Sequence, residues 1–191
     1  SDKSYDISFA NSPYSLKGED FTKGNETARV KIVEFADFQC PACAVTSKLL
    51  GQIYNSYSDN VQVVFRNYPL DQECNKSINR KFHQHACLVA ALARCAGRYG
   101  KFWEYHDLAF SKQGILSKPV AIGWAKDVGL NETQINDCLN DKSILDKIKY
   151  DISEAASLGV TGTPTIFING KKFTGNRRLL EQVVQSLLVA R

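Results

Sequence analysis

The sequence predicts an α/β protein in which a helical segment is inserted between two β-containing parts of the chain. A buried strand, a helix and a second strand follow one another over residues 30–65. A hairpin and a final helix close the chain over residues 165–188. Between these parts, residues 71–150 are rich in alanine and charge and lack β-type runs. The 191 residues, 43% of them hydrophobic, are enough to bury one sizeable core.

The first part of the chain predicts a βαβ unit. Residues 1–27 are polar and contain proline and glycine, which is typical of a linker leading into one short edge strand. The almost wholly apolar run 30–36 predicts a strand buried on both faces. Apolar residues at four-residue spacing predict a helix over 40–57, and the run 61–65 predicts the next strand. A crossover helix between them favours parallel strands and a right-handed unit.

The remaining elements are two or more helices, a hairpin and a closing helix. One helix is predicted over 76–95. Runs 165–168 and 171–174 flank Asn169-Gly170, a strong signal for a two-residue hairpin. The closing helix is predicted to begin at Asn176, a suitable N-cap. The predicted domains are a linker with an edge strand (1–27), an α/β domain (28–70 and 151–191) and an inserted helical domain (71–150).

Composition excludes several classes of function and makes the cysteines informative. The net charge of +4 is mild and its Lys and Arg residues are scattered, so nucleic-acid binding is not predicted. No apolar run approaches the roughly 18 residues of a membrane span. Six cysteines indicate an oxidising compartment. Residues 1–11 do not resemble a signal peptide, so we expect a periplasmic or otherwise extracytoplasmic protein whose signal peptide is not in this chain.

The motif Cys40-Pro41-Ala42-Cys43 stands where the first buried strand leads into the first helix. Pro41 suits the first helical turn, which places Cys40 at or beside the N-cap. Backbone N–H groups and the helix dipole favour a thiolate there, so we expect a lowered pKa for Cys40. Cys43 lies on the same face, within reach of a mixed disulfide at Cys40. This spacing predicts reversible dithiol–disulfide exchange.

Two other roles for these residues compete with exchange. A CxxC is half of a zinc site, but the chain has no second one, and zinc usually takes four ligands. The other cluster of ligand types is His83-x-His85-x-Cys87. An inert structural disulfide at Cys40–Cys43 would close a loop too small to add much stability. No metal is therefore predicted, and His83, His85 and His106 are interpreted as surface or packing residues.

Glu34 is an acid inside an apolar strand run, six residues before Cys40. A buried carboxylate without a partner is costly, so we expect its pKa to rise until it exchanges protons near neutrality. The alternative is that Glu34 points to solvent at a sheet edge.

Three stretches together carry a resemblance to a known family. The run Phe38–Cys43 follows a hydrophobic strand, Gly162-Thr163-Pro164-Thr165 precedes the hairpin, and residues 100–107 fall in the helical insertion. These motifs, in this order, resemble the DsbA-like branch of the thioredoxin superfamily over residues 28–191. The resemblance implies a thioredoxin fold with an inserted helical domain, and no cofactor.

The resemblance also implies roles for individual residues. Pro164 would be the cis-proline that faces the CxxC sulfurs, and Thr163 would offer its backbone to a substrate strand. Glu34 would relay protons to or from Cys43. One departure is that Pro41-Ala42 contains no histidine, whereas the best-known member of the family carries one there. Because that histidine helps to hold the thiolate, the oxidising strength of this chain is left open.

The other four cysteines, Cys74, Cys87, Cys95 and Cys138, lie in the insertion. Cys87 and Cys95 would be about 12 Å apart on one helix, too far for a disulfide. Some DsbA-like proteins resemble this insertion in having both cysteine pairs. We prefer the pairs Cys74–Cys87 and Cys95–Cys138; the alternatives are Cys74–Cys95 with Cys87–Cys138, or four buried thiols.

The predicted function is the transfer of the Cys40–Cys43 disulfide to exported proteins that arrive unfolded or reduced. The resemblance implies reoxidation by a membrane redox partner of the DsbB or vitamin K epoxide reductase type. One alternative is a disulfide reductase or isomerase that a partner keeps reduced. An alternative of another class is a protein that binds a soft metal through the CxxC.

Overall fold

The computed structural model describes residues 9–13 and 21–190. The described residues confirm an α/β fold with a helical insertion. The elements are β1 (Phe9–Pro13), β2 (Phe21–Lys23), β3 (Val30–Ala36), α1 (Pro41–Ser56), β4 (Val61–Asn67), α2 (Ala86–Arg98), α3 (Phe102–Ser111), α4 (Lys118–Asp127), α5 (Glu132–Leu139), α6 (Lys142–Ser157), β5 (Thr165–Ile168), β6 (Lys171–Phe173) and α7 (Leu180–Val189). Single 3-10 turns precede α4 and α7. Within these ranges no helix is long and apolar enough to cross a membrane.

The six strands form one sheet in the order β1-β6-β5-β3-β4-β2. The pairs β1–β6, β5–β6 and β2–β4 are antiparallel. The backbone N–H of Val30 donates to Asn60 at the start of β3 and β4, and that of Tyr68 donates to Ala36 at their ends. Since both ends match, β3 and β4 run in the same direction, and α1 is the crossover between them. Apolar strand β3 is therefore central and β1 and β2 are the edges.

Contacts divide the chain into two compact units. The described residues of one unit fall within 1–34, 48–66 and 165–191, and this unit contains most of the sheet. Its core is made of buried aliphatic and aromatic side chains of the strands, α1 and α7, among them Ile32, Ile53, Val64, Phe167 and Val184.

The other unit comprises residues 35–47 and 67–164. Here α2 packs against α3, α4, α5 and α6, and its core includes Leu92, Tyr105, Trp124, Ile135 and Ile148. The start of α1 and the residues before it belong to this unit, whereas the sequence prediction assigned them to the α/β domain. Residues 151–164 likewise fall in this unit.

Three predicted elements differ from the structure. One edge strand is expected within 1–27, but the structure has two, β1 and β2, one at each edge of the sheet. Residues 1–8 and 14–20 of that segment lie outside the described residues. The closing α-helix begins at Leu180, because Asn176 caps the 3-10 turn Arg177–Leu179 instead.

The helix predicted over 76–95 is wrong for its first half, since α2 begins at Ala86. Side chains of Asp71 and Asn75 accept hydrogen bonds from the backbone N–H groups of Glu73 and Ser77, two residues on. Such local turns compete with a helix for the same backbone donors. Residues 71–85 therefore form turns rather than a helix.

Candidate active site

Cys40 and Cys43 lie at the beginning of α1, whose first residue is Pro41. Both are buried, with 7% of Cys40 and none of Cys43 exposed. They stand outside the disulfides of the described chain. The backbone N–H of Cys43 donates to Cys40 Sγ over 3.4 Å. The start of α1 therefore holds the two cysteines next to each other.

The environment of Cys40 favours its thiolate. Hydrogen bonding from the Cys43 side chain is the largest influence and, with Thr163 and the Cys43 backbone, it lowers the pKa of Cys40 from 9.0 to about 6. Burial and the charge of Asp37 oppose this by raising the pKa. The hydrogen bonds prevail, so Cys40 is mostly ionised at neutral pH. A thiol with this pKa is both a ready nucleophile and a good leaving group.

Thr163, the residue before Pro164, lies beside Cys40. The Thr163–Pro164 peptide bond is cis. Cys40 Sγ lies 3.7 Å from the Thr163 carbonyl oxygen. The structure thus brings together the two motifs that the sequence separates by more than 120 residues. That these residues bind a substrate strand remains a prediction.

Asp37 organises the segment between β3 and the cysteines. Asp37 is buried, with 1% of the residue exposed. Oδ1 accepts from the Gln39 backbone over 2.6 Å, and the Asp37 carbonyl accepts from the Cys40 backbone over 3.1 Å. Oδ2 accepts from the Leu70 backbone over 2.6 Å. One buried carboxylate therefore fixes the backbone just before Cys40 and ties it to the segment after β4.

Two histidines near the end of the 71–85 segment also hold the loop that precedes Cys40. His83 Nδ1 lies 2.8 Å from Asp37 Oδ2. The backbone N–H of His85 donates to Gln39 Oε1 over 3.0 Å. His83 thus contacts the active-site loop through Asp37, and its ring also packs on that of Phe82, which agrees with a packing role.

A glutamine and three rings complete the surroundings of the loop. Gln113 Nε2 donates to the carbonyl oxygens of Phe38 and Cys40, over 2.9 and 3.3 Å. The Phe38 ring lies 4.9 Å from the Phe110 ring and 5.9 Å from that of His106. His106, which is 5% exposed, also contacts Ser47 and Asp107. It therefore serves packing beneath the loop, as expected.

Glu34 is buried on β3, with 2% of its surface exposed. This contradicts the alternative that it points to solvent at an edge, because β3 is a central strand. Its action as a proton relay to Cys43 stays a prediction.

The remaining cysteines form two disulfides, Cys74–Cys87 and Cys95–Cys138. These are the pairs preferred from the sequence, and the alternative pairing and the four-thiol state are contradicted. Because Cys87 is in a disulfide, it cannot join His83 and His85 as a metal ligand. Over the described ranges, no group of three or more His, Cys, Asp and Glu side chains is placed to hold a metal ion.

Sequence reasoning missed Asp37 and Gln113, and it missed the contact of His83 with Asp37. Asp37 carried a signal, since an aspartate directly after a buried strand and three residues before a CxxC is placed to accept backbone hydrogen bonds at the helix start. His83 and Gln113 gave none, because their partners lie 46 and 73 or more residues away along the chain.

Known proteins give a consistent picture of this fold. The sequence model of the family described as Thioredoxin matches residues 16–185. The Wolbachia pipientis α-DsbA1 structure superposes with a TM-score of 0.75 at 22% identity, covering 90% of this chain and 92% of that one. For Pseudomonas aeruginosa DsbA2 the TM-score is 0.65 at 28% identity, covering 91% and 97%. The fold is thus a thioredoxin fold with the helical insertion of DsbA-like proteins.

A curated relative of another kind also matches. The Na(+)/H(+) antiporter NhaA 1 of Salinispora arenicola is 31% identical over 157 residues, which is 82% of this chain. The match takes up 22% of the antiporter, so the chain spans about a fifth of the length of that relative.

Proposed function

This chain belongs to the thioredoxin family, and from that premise we propose that it is a thiol–disulfide oxidoreductase that passes the Cys40–Cys43 disulfide to substrate proteins. One observation carries the proposal: Cys40 lies at a helix start beside Thr163, with a pKa lowered to about 6. A stable Cys40 thiolate stabilises the reduced form of the protein. A disulfide whose reduced form is stabilised is an oxidant.

The exchange proceeds in two displacements. A thiolate of the reduced substrate attacks Cys40 Sγ, the Cys40–Cys43 bond breaks, and Cys43 leaves with the electron pair and takes up a proton. A second substrate thiolate then attacks the substrate sulfur of the mixed disulfide, and Cys40 leaves as a thiolate. The substrate has lost two electrons and gained a disulfide, and the protein holds the dithiol. The low pKa of Cys40 speeds the second step, because it is the leaving group there.

Glu34, Thr163 and Pro164 assist these steps in our proposal. Burial suits Glu34 to accept and release a proton for Cys43 as that residue becomes a leaving group or a nucleophile. The Thr163 carbonyl and N–H would pair with the backbone of an extended substrate and align its cysteine with Cys40. A half-buried Thr163 beside the sulfur supports this alignment.

The physiological setting is also a proposal. Two structural disulfides in the described chain support an oxidising, extracytoplasmic compartment. The substrates would be exported proteins that arrive unfolded or reduced. Repeated turnover needs an acceptor of two electrons, and we propose a membrane redox partner of the DsbB or vitamin K epoxide reductase type.

Equilibration of the chain with glutathione buffers tests the direction of exchange. We expect a potential between the roughly −270 mV of thioredoxin and the roughly −120 mV of the strongly oxidising DsbA, because a Cys40 pKa of about 6 lies between the values of about 7 and 3.5 of those two proteins. A potential near the thioredoxin value would overturn the oxidase proposal in favour of a reductase. The Cys40→Ser variant should form no mixed disulfide. In Cys43→Ser the Cys40 thiolate should attack the disulfide of an oxidised substrate protein, release one substrate thiolate and stay trapped in the mixed disulfide, because Cys43 is not there to displace the substrate.

Thiolate absorbance against pH tests the site itself. We expect a midpoint near pH 6 in the reduced protein, lost in Cys40→Ser. The folded pKa lies below the unfolded one, so between about pH 6 and 9 the unfolded chain binds one more proton and the stability of the reduced protein rises with pH. Reduced wild type should therefore gain stability over Cys40→Ser across that range and lose the gain as pH falls through 6. A midpoint near 9 would remove the observation on which the proposal rests.

A further inference from the structure

The negative charge of Asp37 near Cys40 disfavours the Cys40 thiolate, and the CxxC motif itself contains no group that compensates this charge. Asp37 lies close enough for its charge to raise the pKa of Cys40. The residues between the cysteines, Pro41 and Ala42, carry no positive charge to offset it. A cation that compensates Asp37 must come from elsewhere in the fold.

The structure places His83 where such a cation is needed. His83 Nδ1 lies 2.8 Å from Asp37 Oδ2. The carboxylate can only accept, so Nδ1 carries a hydrogen and Nε2 is the atom that gains or loses a proton. The His83 backbone N–H donates to the Leu70 carbonyl, and the Leu70 N–H donates to the same Asp37 oxygen. Main chain and ring thus fix His83 against Asp37 together.

Two further features hold the imidazole in place. The Phe82 ring stacks on it at 3.9 Å between centroids, with an interplanar angle of 16°. The Cys74–Cys87 disulfide closes the segment in which His83 lies. The side chain of His83 is 14% exposed, and that of Asp37 is fully buried. The ion pair is therefore poorly screened by solvent, which strengthens its effect on nearby charge.

We propose that His83 is a positioning residue that compensates the charge of Asp37 and thereby sets, in a pH-dependent way, the oxidising strength of the Cys40–Cys43 disulfide. The proposal rests on the proposed function. With His83 protonated, the pair with Asp37 is neutral and the Cys40 thiolate is favoured. With His83 neutral, a net negative charge remains beside Cys40 and the thiolate is disfavoured. Raising the pH past the His83 titration therefore weakens the oxidant.

Reduction of the Cys40–Cys43 disulfide by a substrate couples electron transfer to proton uptake at the site. A substrate dithiol gives two electrons and becomes a disulfide, releasing two protons. Cys43 takes one of them, and Cys40 remains a thiolate above its own pKa. The site has then gained one negative charge, which favours uptake of the other proton by His83 Nε2 if that atom is not already protonated; otherwise the proton goes to solvent.

The groups that face His83 agree with this assignment. Burial lowers the pKa of His83, but the hydrogen bond and charge of Asp37, the Cys40 thiolate and Asp71 raise it overall. Asp71 is buried and engaged by the backbone of Glu73 and Cys87. Because coupling between two sites is reciprocal, a Cys40 thiolate that raises the pKa of His83 is itself stabilised by protonated His83.

Titration of wild-type His83 by NMR in the oxidised and the reduced protein tests the coupling without any variant. We expect a higher His83 pKa in the reduced form, because only that form carries the Cys40 thiolate. The same pKa in both forms would overturn the proposal. Since no substrate is involved, this outcome is separate from failure of the proposed oxidase activity.

Two variants of His83 test the same coupling from the side of Cys40. In His83→Gln the thiolate absorbance should show a higher pKa for Cys40, by about one unit, and the glutathione equilibrium should shift about tenfold towards the disulfide. His83→Lys should restore both near neutral pH. At a pH above the His83 titration that the NMR experiment measures, wild type and His83→Gln should agree.

His85→Gln is the matched control, because His85 holds Gln39 through its backbone and not its ring. It should leave the Cys40 pKa as in wild type. A folded His83→Gln protein with the wild-type Cys40 pKa would refute the proposal. If His83→Gln does not fold, as judged by near-UV circular dichroism, the wild-type NMR titration decides alone.

Discussion

The two disulfides join regions of opposite character. Cys95–Cys138 ties α2 to α5, and both of its cysteines are fully buried among packed helices. Cys74–Cys87 closes a shorter segment, most of which forms turns. That segment contacts the Asp37 loop through hydrogen bonds of His83 and His85.

The difference shows that the same covalent bond serves two purposes here. Between α2 and α5 the helices already pack through buried apolar side chains, so the disulfide mainly adds stability. Residues 71–85 have no regular ladder of hydrogen bonds, so side chains and the disulfide must define their conformation. Changes in this second region should therefore reach Cys40, whereas changes in the first should not.

Removal of the disulfide between the helices should have the largest effect on stability. In the chain-entropy model, a bond that closes 43 residues contributes about 4 kcal/mol. Cys95→Ala/Cys138→Ala should lower the unfolding free energy by about that much in a denaturant titration. The pKa of Cys40, read from thiolate absorbance, should not move. A shift of that pKa would erase the distinction between the two regions.

Removal of the other disulfide should cost less stability but change the chemistry. Closing 13 residues contributes about 3 kcal/mol in the same model. Cys74→Ala/Cys87→Ala should also raise the Cys40 pKa, because His83 is held less firmly against Asp37. A denaturant titration measures the loss of stability, and thiolate absorbance measures the Cys40 pKa, as for Cys95→Ala/Cys138→Ala. An unchanged Cys40 pKa would show that hydrogen bonds alone hold the segment.

A single side chain of the turn segment should act similarly on a smaller scale. Asn75 is fully buried, donates to the Pro69 carbonyl and accepts from both the backbone and the hydroxyl of Ser77. Asn75→Ala leaves these groups unmatched and should cost about 2 kcal/mol. We also expect a small rise in the Cys40 pKa. A loss of stability of only a few tenths of a kcal/mol would mean that water replaces the side chain.

The smallest effect is expected at the start of α5. Asn131 caps that helix in a capping box, with its side chain accepting from the Gln134 backbone and its own backbone donating to the Gln134 side chain. Asn131→Ala should cost about 1 kcal/mol. It is the counterpart of Asn75→Ala in the helical region and should leave the Cys40 pKa unchanged. A change in that pKa would indicate transmission through the helices.

Much of the fold followed from local patterns. The apolar run at β3 and the recurring apolar residues of α1 gave these elements almost to the residue, because burial on both faces and helical periodicity leave direct marks on a sequence. Asn169-Gly170 gave the hairpin, since both residues adopt the positive φ that its turn requires. The helix predicted from residue 76 failed because Asp71 and Asn75 satisfy backbone donors in turns.

By itself the sequence determined that Cys40 stands at a helix start and that Glu34 interrupts a strand, since both depend on neighbours a few residues away. Only the tertiary structure decided which cysteines pair, that Thr163 reaches Cys40, and that His83 faces Asp37. Each of these contacts joins residues distant along the chain, and no local pattern records where the folded backbone will bring them. The physical reason is that periodicity and capping are properties of one element, whereas an electrostatic environment is made by several.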